Sequence, residues 1–242
     1  MPHGQRDWGN IGADKVQHGL SDMAELAARL GSGNLFNREG YVIFLESFEY
    51  GLGGWEWSKG GTYGDVFLSA EARRTGAYSC KLSAGTEAGS ASLISRKLPY
   101  AVLGKFGMEL SCKLHEDVAD LKFRLVWHDG TYDNIFDINY TPAVDELWLT
   151  DGASGHVTIA EDLNLHPQYA PFQTFKLVAD FAANEYLRII VNEKEYDISG
   201  YTPALVETDD AKCLRVNVTL YSVKDRMGYV YVDDLIVTQN EP

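Results

Sequence analysis

From Tyr41 onward, apolar and polar positions alternate with a period of two along most of the chain. Phe123, Leu125 and Trp127 fall on one side of a run, and Lys122, Arg124 and His128 fall on the other. Leu214, Val216, Val218 and Leu220 alternate in the same way with Arg215, Asn217 and Thr219. A strand that reads like this buries one face and wets the other, as antiparallel sheets do. The pattern predicts strands over 42–48, 65–70, 77–83, 91–98, 105–114, 121–128 and 134–140. It predicts further strands over 146–150, 157–160, 174–181, 186–191, 194–198, 213–222 and 229–238. Short strands separated by Gly, Asp and Asn turns point to an all-β, two-sheet antiparallel sandwich. Asn192-Glu193 reads as a tight hairpin, because Asn tolerates positive φ. The polar stretch from Glu161 to Gln173, with Pro167 and Pro171, reads as a long loop.

Residues 1–40 break the pattern. The first twenty are polar and Gly-rich, with isolated apolar residues at Trp8, Ile11, Val16 and Leu20, which predicts an extended arm. Met23, Leu26, Ala27 and Leu30 then recur at helical spacing. Asp22 and Glu25 have capping spacing and Gly31 is a natural stop, so a short amphipathic helix is expected over about 21–30. A helix of about ten residues is not stable alone. Its stripe must pack on the β domain, on a neighbouring subunit or on a larger assembly. Trp8, Met23, Leu26 and Leu30 are the anchors such an arm would use. The expected organisation is an arm over 1–40 and one β domain over 41–242.

Charge narrows the function. The 242 residues carry 21 Lys and Arg against 35 Asp and Glu, a net charge of −14. That balance argues against nucleic acid and against an anionic membrane, and leaves cation binding open. At 45% hydrophobic residues the chain can build its core without staples. Cys80, Cys112 and Cys213 form no disulfide framework or metal knuckle, and their runs predict buried free thiols. No stretch approaches the roughly 18 apolar residues of a membrane helix. The first residues also lack the pattern of a secretory leader. A virion or cytoplasmic protein is expected, or an extracellular one if a leader has been trimmed.

Two groups of residues carry a family resemblance. Ser47-Phe48-Glu49-Tyr50-Gly51-Leu52-Gly53-Gly54-Trp55 comes first, followed by Arg74-Thr75-Gly76-Ala77-Tyr78-Ser79-Cys80-Lys81-Leu82 and, near the end, Tyr231-Val232-Asp233-Asp234-Leu235-Ile236-Val237. Together they resemble the frame of jelly-roll carbohydrate-binding modules. Phe172-Gln173-Thr174-Phe175-Lys176-Leu177-Val178-Ala179-Asp180-Phe181, with the hairpin after Tyr186, is similar to concanavalin A-like and laminin G-like domains. Both resemblances imply a jelly-roll sandwich over about residues 42–240. The first also implies a structural Ca²⁺ on Glu49 and on Asp233 or Asp234, with a turn carbonyl near Gly76. Oxygen donors of this kind are what calcium takes.

Catalytic motifs are missing. The "E-x-D-x-x-E" strand of concanavalin A-like glycosidases is absent; Asp133 with Asp137, and Asp145 with Glu146, lack its spacing. His128-Asp129 beside Tyr132 reads as an exposed strand end and turn at Gly130 rather than as a lyase dyad. The six histidines are scattered, and no nucleophile elbow, zinc helix or phosphate loop is present. A non-catalytic protein is therefore expected, ahead of a glycoside hydrolase or polysaccharide lyase. A sugar platform would draw on Trp57, Tyr63, Trp127, Tyr132 and Trp148. Trp148 is the best exposed candidate, because Leu147 and Leu149 already claim the buried side. Two readings compete. The leading one is an accessory component of a larger assembly, such as capsid decoration or tail of a phage virion, docking through its arm on protein partners or on its own copies. The alternative is a lectin-like carbohydrate-binding module.

Overall fold

The computed structural model describes residues 40–87, 89–99, 102–115, 117–165, 171–223 and 225–242. The expected arm and helix, with Trp8, Met23, Leu26 and Leu30, lie outside the described residues, as does Pro167.

Sixteen strands run in chain order: β1 Tyr41–Glu46, β2 Glu56–Lys59, β3 Asp65–Ser69, β4 Ser79–Ser83, β5 Ala91–Leu98, β6 Lys105–Leu114, β7 Val118–His128 and β8 Tyr132–Thr141. They continue with β9 Glu146–Asp151, β10 Gly155–Ala160, β11 Gln173–Asp180, β12 Glu185–Val191, β13 Lys194–Asp197, β14 Ala204–Glu207, β15 Cys213–Ser222 and β16 Tyr229–Gln239. They form two antiparallel sheets of eight strands, a jelly-roll sandwich. The front sheet runs β10-β9-β8-β7-β15-β5-β2, with β14 on β8. The back sheet runs β13-β12-β11-β6-β16-β4-β3, with β1 on β16.

The alternation places the core. Leu121, Phe123, Leu125, Phe136, Ile138, Leu147 and Leu149 of the front sheet face Met108, Leu110, Phe175, Leu177 and Tyr186 of the back sheet, and all are buried. Phe123 meets Phe175 at 5.4 Å, and Phe136 meets Phe181 at 5.3 Å, so aromatic rings fill much of the space between sheets. The predicted hairpin closes on Asn192, whose φ is +55°. Its side-chain Oδ1 accepts from Thr174 N at 2.9 Å, tying the turn to β11.

Two strands were not expected. β2, at the sheet edge, and β14, paired to one end of β8, are four-residue pieces, almost wholly exposed, with no buried side to reveal them. Cys213 also departs from expectation. Cys80 and Cys112 are buried, but Cys213 is only partly covered, because it faces outward on β15.

At the end of β9, Asp151 anchors the segment that leads into β14. Its carboxylate accepts from Thr202 N and Ser154 N, each at 2.9 Å, and from the hydroxyls of Ser154 and Thr202. These bonds, that from Thr202 N first, hold its pKa at about 2. A depressed carboxylate pKa stabilises the fold above the unfolded value, and the contribution is lost as pH falls toward 2. Asp151→Ala is expected to lower the melting temperature at pH 7. The gap to wild type should close in melts between pH 4 and 2.

Candidate functional site

Around Trp148 the outer face of the front sheet is polar where the inner face is apolar, and its rows follow from the register. Lys122, Asn139, Trp148 and Thr158 lie abreast on β7, β8, β9 and β10. In the next row Arg124 faces Asp137, and Thr150 faces His156. Asn217 of β15 lies beyond Arg124.

Trp148 is held in one orientation. Its indole Nε1 donates to Thr141 Oγ1 at 3.1 Å, and its ring stacks on His156 with centroids 4.3 Å apart. His156 Nε2 lies 3.0 Å from Glu146 Oε1, which also accepts from Thr158 Oγ1. Thr158 and then His156 keep the Glu146 carboxyl below its ordinary pKa. The Lys122 ammonium reaches to 5.8 Å from the Trp148 ring centroid.

Asp137 is the charge centre of this face. Its Oδ2 accepts from Arg124 Nε at 3.2 Å and lies 3.7 Å from Lys122 Nζ. Burial lowers the Lys122 pKa more than Asp137 raises it. Asp137 Oδ1 accepts from Thr150 N at 3.2 Å, a bond in which a side chain replaces the strand ladder.

Tyr186 closes the gap from the other sheet. Its buried hydroxyl crosses the core, accepts from Asp137 N at 2.8 Å and lies 3.1 Å from Thr150 O as donor. Burial pushes its pKa upward. The back sheet thus fixes the backbone that carries Asp137. Tyr186→Phe leaves the Asp137 N–H unpaired in the core and is expected to destabilise by about 1–3 kcal/mol. Urea unfolding measures it.

The five predicted platform residues are not brought together. Trp148 alone lies on the outer face of the front sheet. Trp127 faces inward beside Leu125 and stacks on Phe181 at 5.8 Å, so it serves the core. Trp57 lies on β2, the opposite edge of the sheet, 50% exposed. Tyr63 is 73% exposed in the loop after β2, and Tyr132 is an exposed start of β8. The alternation of Trp127 with Lys122 and Arg124 already assigned it to the inner face.

His128 also needs correction. It is fully buried rather than an exposed turn residue, with Nδ1 against the Asp133 carboxylate. Arg215 Nη2 lies 3.5 Å from the same carboxylate. Asp129 does cap a turn, accepting from the backbone N–H groups of Thr131 and Tyr132.

Glu49, Asp233 and Asp234 all turn toward the loop between β3 and β4. Glu49 Oε1 accepts from Ala77 N at 2.8 Å and Tyr78 N at 3.0 Å. Asp233 and Asp234 sit where β16 bulges between its partners β4 and β1. Asp233 Oδ2 accepts from Arg74 N at 2.8 Å, and Asp234 Oδ1 accepts from Thr75 Oγ1 at 2.8 Å. Burial and then the neighbouring Asp234 raise the Asp233 pKa to about 6. The oxygens of these three side chains meet N–H and O–H donors. Among the described residues no group of three or more His, Cys, Asp or Glu is placed to hold a metal. The three carboxylates anchor one loop. Beside this loop lies a shallow depression lined by Arg73, Arg74, Lys113 and Phe172. Its guanidiniums are already bonded to Ala70 O, Gly76 O and Thr174 Oγ1.

Lys122, Arg124, Asp137, Asn139, Glu146 and His156 were not singled out from the sequence as site residues. The available signal was Asp137 and Asn139, polar groups at outward positions in the middle of a long strand, opposite two cations.

No protein-family model matches this sequence, and no curated protein matches it. Solved structures do share the fold. A carbohydrate esterase from the Shiga toxin-encoding bacteriophage phi24B is 13% identical, with a TM-score of 0.56 over 84% of this chain and 100% of that one. An endo-β-1,4-glucuronan lyase from the fungus Trichoderma reesei is 14% identical, with a TM-score of 0.56 over 82% of this chain and 96% of that one. An alginate lyase from Chlorella virus is 8% identical, with a TM-score of 0.56 over 82% of this chain and 99% of that one. At these identities the likeness establishes the jelly-roll fold. Among the described residues no helix is long and apolar enough to cross a membrane.

Proposed function

We propose that this protein is a non-catalytic β-sandwich that binds a polysaccharide across the outer face of the front sheet. One observation carries the reading: Trp148 is fixed by Thr141 and His156 beside a patch of hydrogen-bonding side chains, Lys122, Arg124, Asp137, Asn139 and Thr158. A fixed aromatic ring beside polar groups is what a sugar face stacks on. The structural neighbours named above are all named for carbohydrates. The carboxylates of the face are engaged: Asp137 with Arg124 and Lys122, Glu146 with Thr158 and His156. Neither resembles the acid and base pair of a glycosidase. Affinity electrophoresis in gels containing polysaccharides tests the binding, and reducing-end and 235 nm absorbance assays test cleavage. Retardation without product supports the reading; product formation overturns its non-catalytic part.

A second reading is an accessory role in a larger assembly, such as a phage virion, with docking through the N-terminal arm. It is favoured by β1, the strand that follows the arm in sequence. Tyr41, Ile43 and Leu45 alternate outward along it and are exposed, an apolar strip at the place where a partner would continue. Light scattering of the full chain and of an Ile43→Asp, Leu45→Asp variant tests this reading for self-assembly. A defined oligomer that the variant loses supports it; two equal monomers overturn self-assembly through this strip.

A further inference from the structure

Asn139 is the least explained polar side chain of the front face. It lies in the middle of β8, between Lys122 on β7 and Trp148 on β9. It is 0% exposed, and neither its Oδ1 nor its Nδ2 has a hydrogen-bond partner among the described residues. An unpaired buried amide destabilises a fold and is rare in native proteins. Its flanking side chains are large. Lys122 reaches across β8 until its ammonium lies 5.8 Å from the Trp148 ring centroid, and its other tie is Asp137 at 3.7 Å. Burial already disfavours the charge of Lys122 in that position. A long lysine chain that moves to water would relieve that penalty and uncover both the ring and the amide.

The charges around Asn139 restrict the ligand. Lys122 and Arg124 both turn to Asp137. Asp120, which accepts from Thr141 Oγ1, and Glu146 add two further carboxylates. Two cations thus face three carboxylates, a net negative charge that disfavours the acid group of a uronate wherever the Lys122 ammonium lies. A primary amide instead offers one acceptor and two donors in a plane, a match for two adjacent sugar hydroxyls.

We propose that Asn139 reads a pair of neighbouring hydroxyls on a neutral polysaccharide, reached when Lys122 moves off Trp148. The proposal deepens the glycan-binding reading and rests on it. It also separates the ligand class of this chain from the glucuronan and alginate named for two of its structural neighbours.

The test uses the full chain, wild type and Asn139→Leu, in affinity electrophoresis against barley β-glucan, xylan and galactomannan, and against alginate and polyglucuronate. Thermal melts of both proteins run alongside without polysaccharide. The expected result is retardation of wild type by a neutral polymer and not by the acidic ones. Asn139→Leu should weaken it about tenfold, the worth of a lost hydrogen bond or two. It should melt no lower than wild type, since leucine fills the same space without an unpaired amide. A clearly lower melting temperature for Asn139→Leu would show the amide to be structural and overturn its reading role. Retardation by the acidic polymers in place of the neutral ones overturns the ligand class and leaves the glycan site standing. Failure of wild type to bind any of the five overturns the glycan-binding reading beneath it.

Discussion

Glu241→Ala is expected to lower the unfolding free energy by about 3–5 kcal/mol. Glu241 lies two residues beyond β16 and is fully buried, with Oε1 2.7 Å from Lys176 Nζ. Its Oε2 accepts from Arg188 Nη2 at 3.2 Å, and Thr238 Oγ1 donates to its other oxygen. One carboxylate therefore joins β11, β12 and the end of β16 across the outer face of the back sheet. Lys176 is 1% exposed, so removing Glu241 takes a carboxylate away from an ammonium that water cannot reach. For a chain of this size the loss corresponds to a fall in melting temperature of roughly 10 °C. The double variant Lys176→Met, Glu241→Leu should recover much of it, because apolar residues of similar volume carry no desolvation penalty. A single-variant loss below about 1 kcal/mol in urea unfolding would show that the pair is wetter than its burial implies.

Trp148→Ala is expected to weaken polysaccharide binding by about thirtyfold, the loss typical of a central aromatic contact. Its effect on folding should stay below about 1 kcal/mol, since the ring lies on the outer face and the core beneath it belongs to Leu147 and Leu149. Trp57→Ala is the control. The two rings are five strand spacings apart on the front sheet, roughly 24 Å. Trp57→Ala should therefore leave the affinity unchanged. Equal losses from both variants would contradict a site at Trp148, because the register of Trp57 with the buried Ile94 turns it away from the outer face.

The fold was legible because the alternation is long and regular. Cys213 to Ser222 and Ala91 to Leu98 emerge as strands with the expected ends. The strands that escaped, β2 and β14, have no buried side to write a pattern. The site was less legible. Trp148 between Leu147 and Leu149 was readable as outward-facing from its own strand. The rows that surround it were not, because Lys122, Asn139 and Trp148 come from three strands and meet only through register. A predicted platform of five aromatics therefore reduces to one ring and its polar neighbours. The Asp233-Asp234 pair was visible as a motif, but the bulge that turns it onto the loop between β3 and β4 depends on two different strands sharing one side of β16.

The central claim is that a polysaccharide lies on the outer face of the front sheet, at Trp148. The five tryptophans of the chain give five indole N–H resonances, each assignable by a single substitution. Titrating the full chain with a soluble polysaccharide that retards it should shift the Trp148 resonance, whose Nε1 is bonded to Thr141. Trp55 and Trp127, which pack in and against the core, should stay in place, as should Trp57 on the far edge. A shift at Trp57 or Trp8 with Trp148 unmoved would contradict the account.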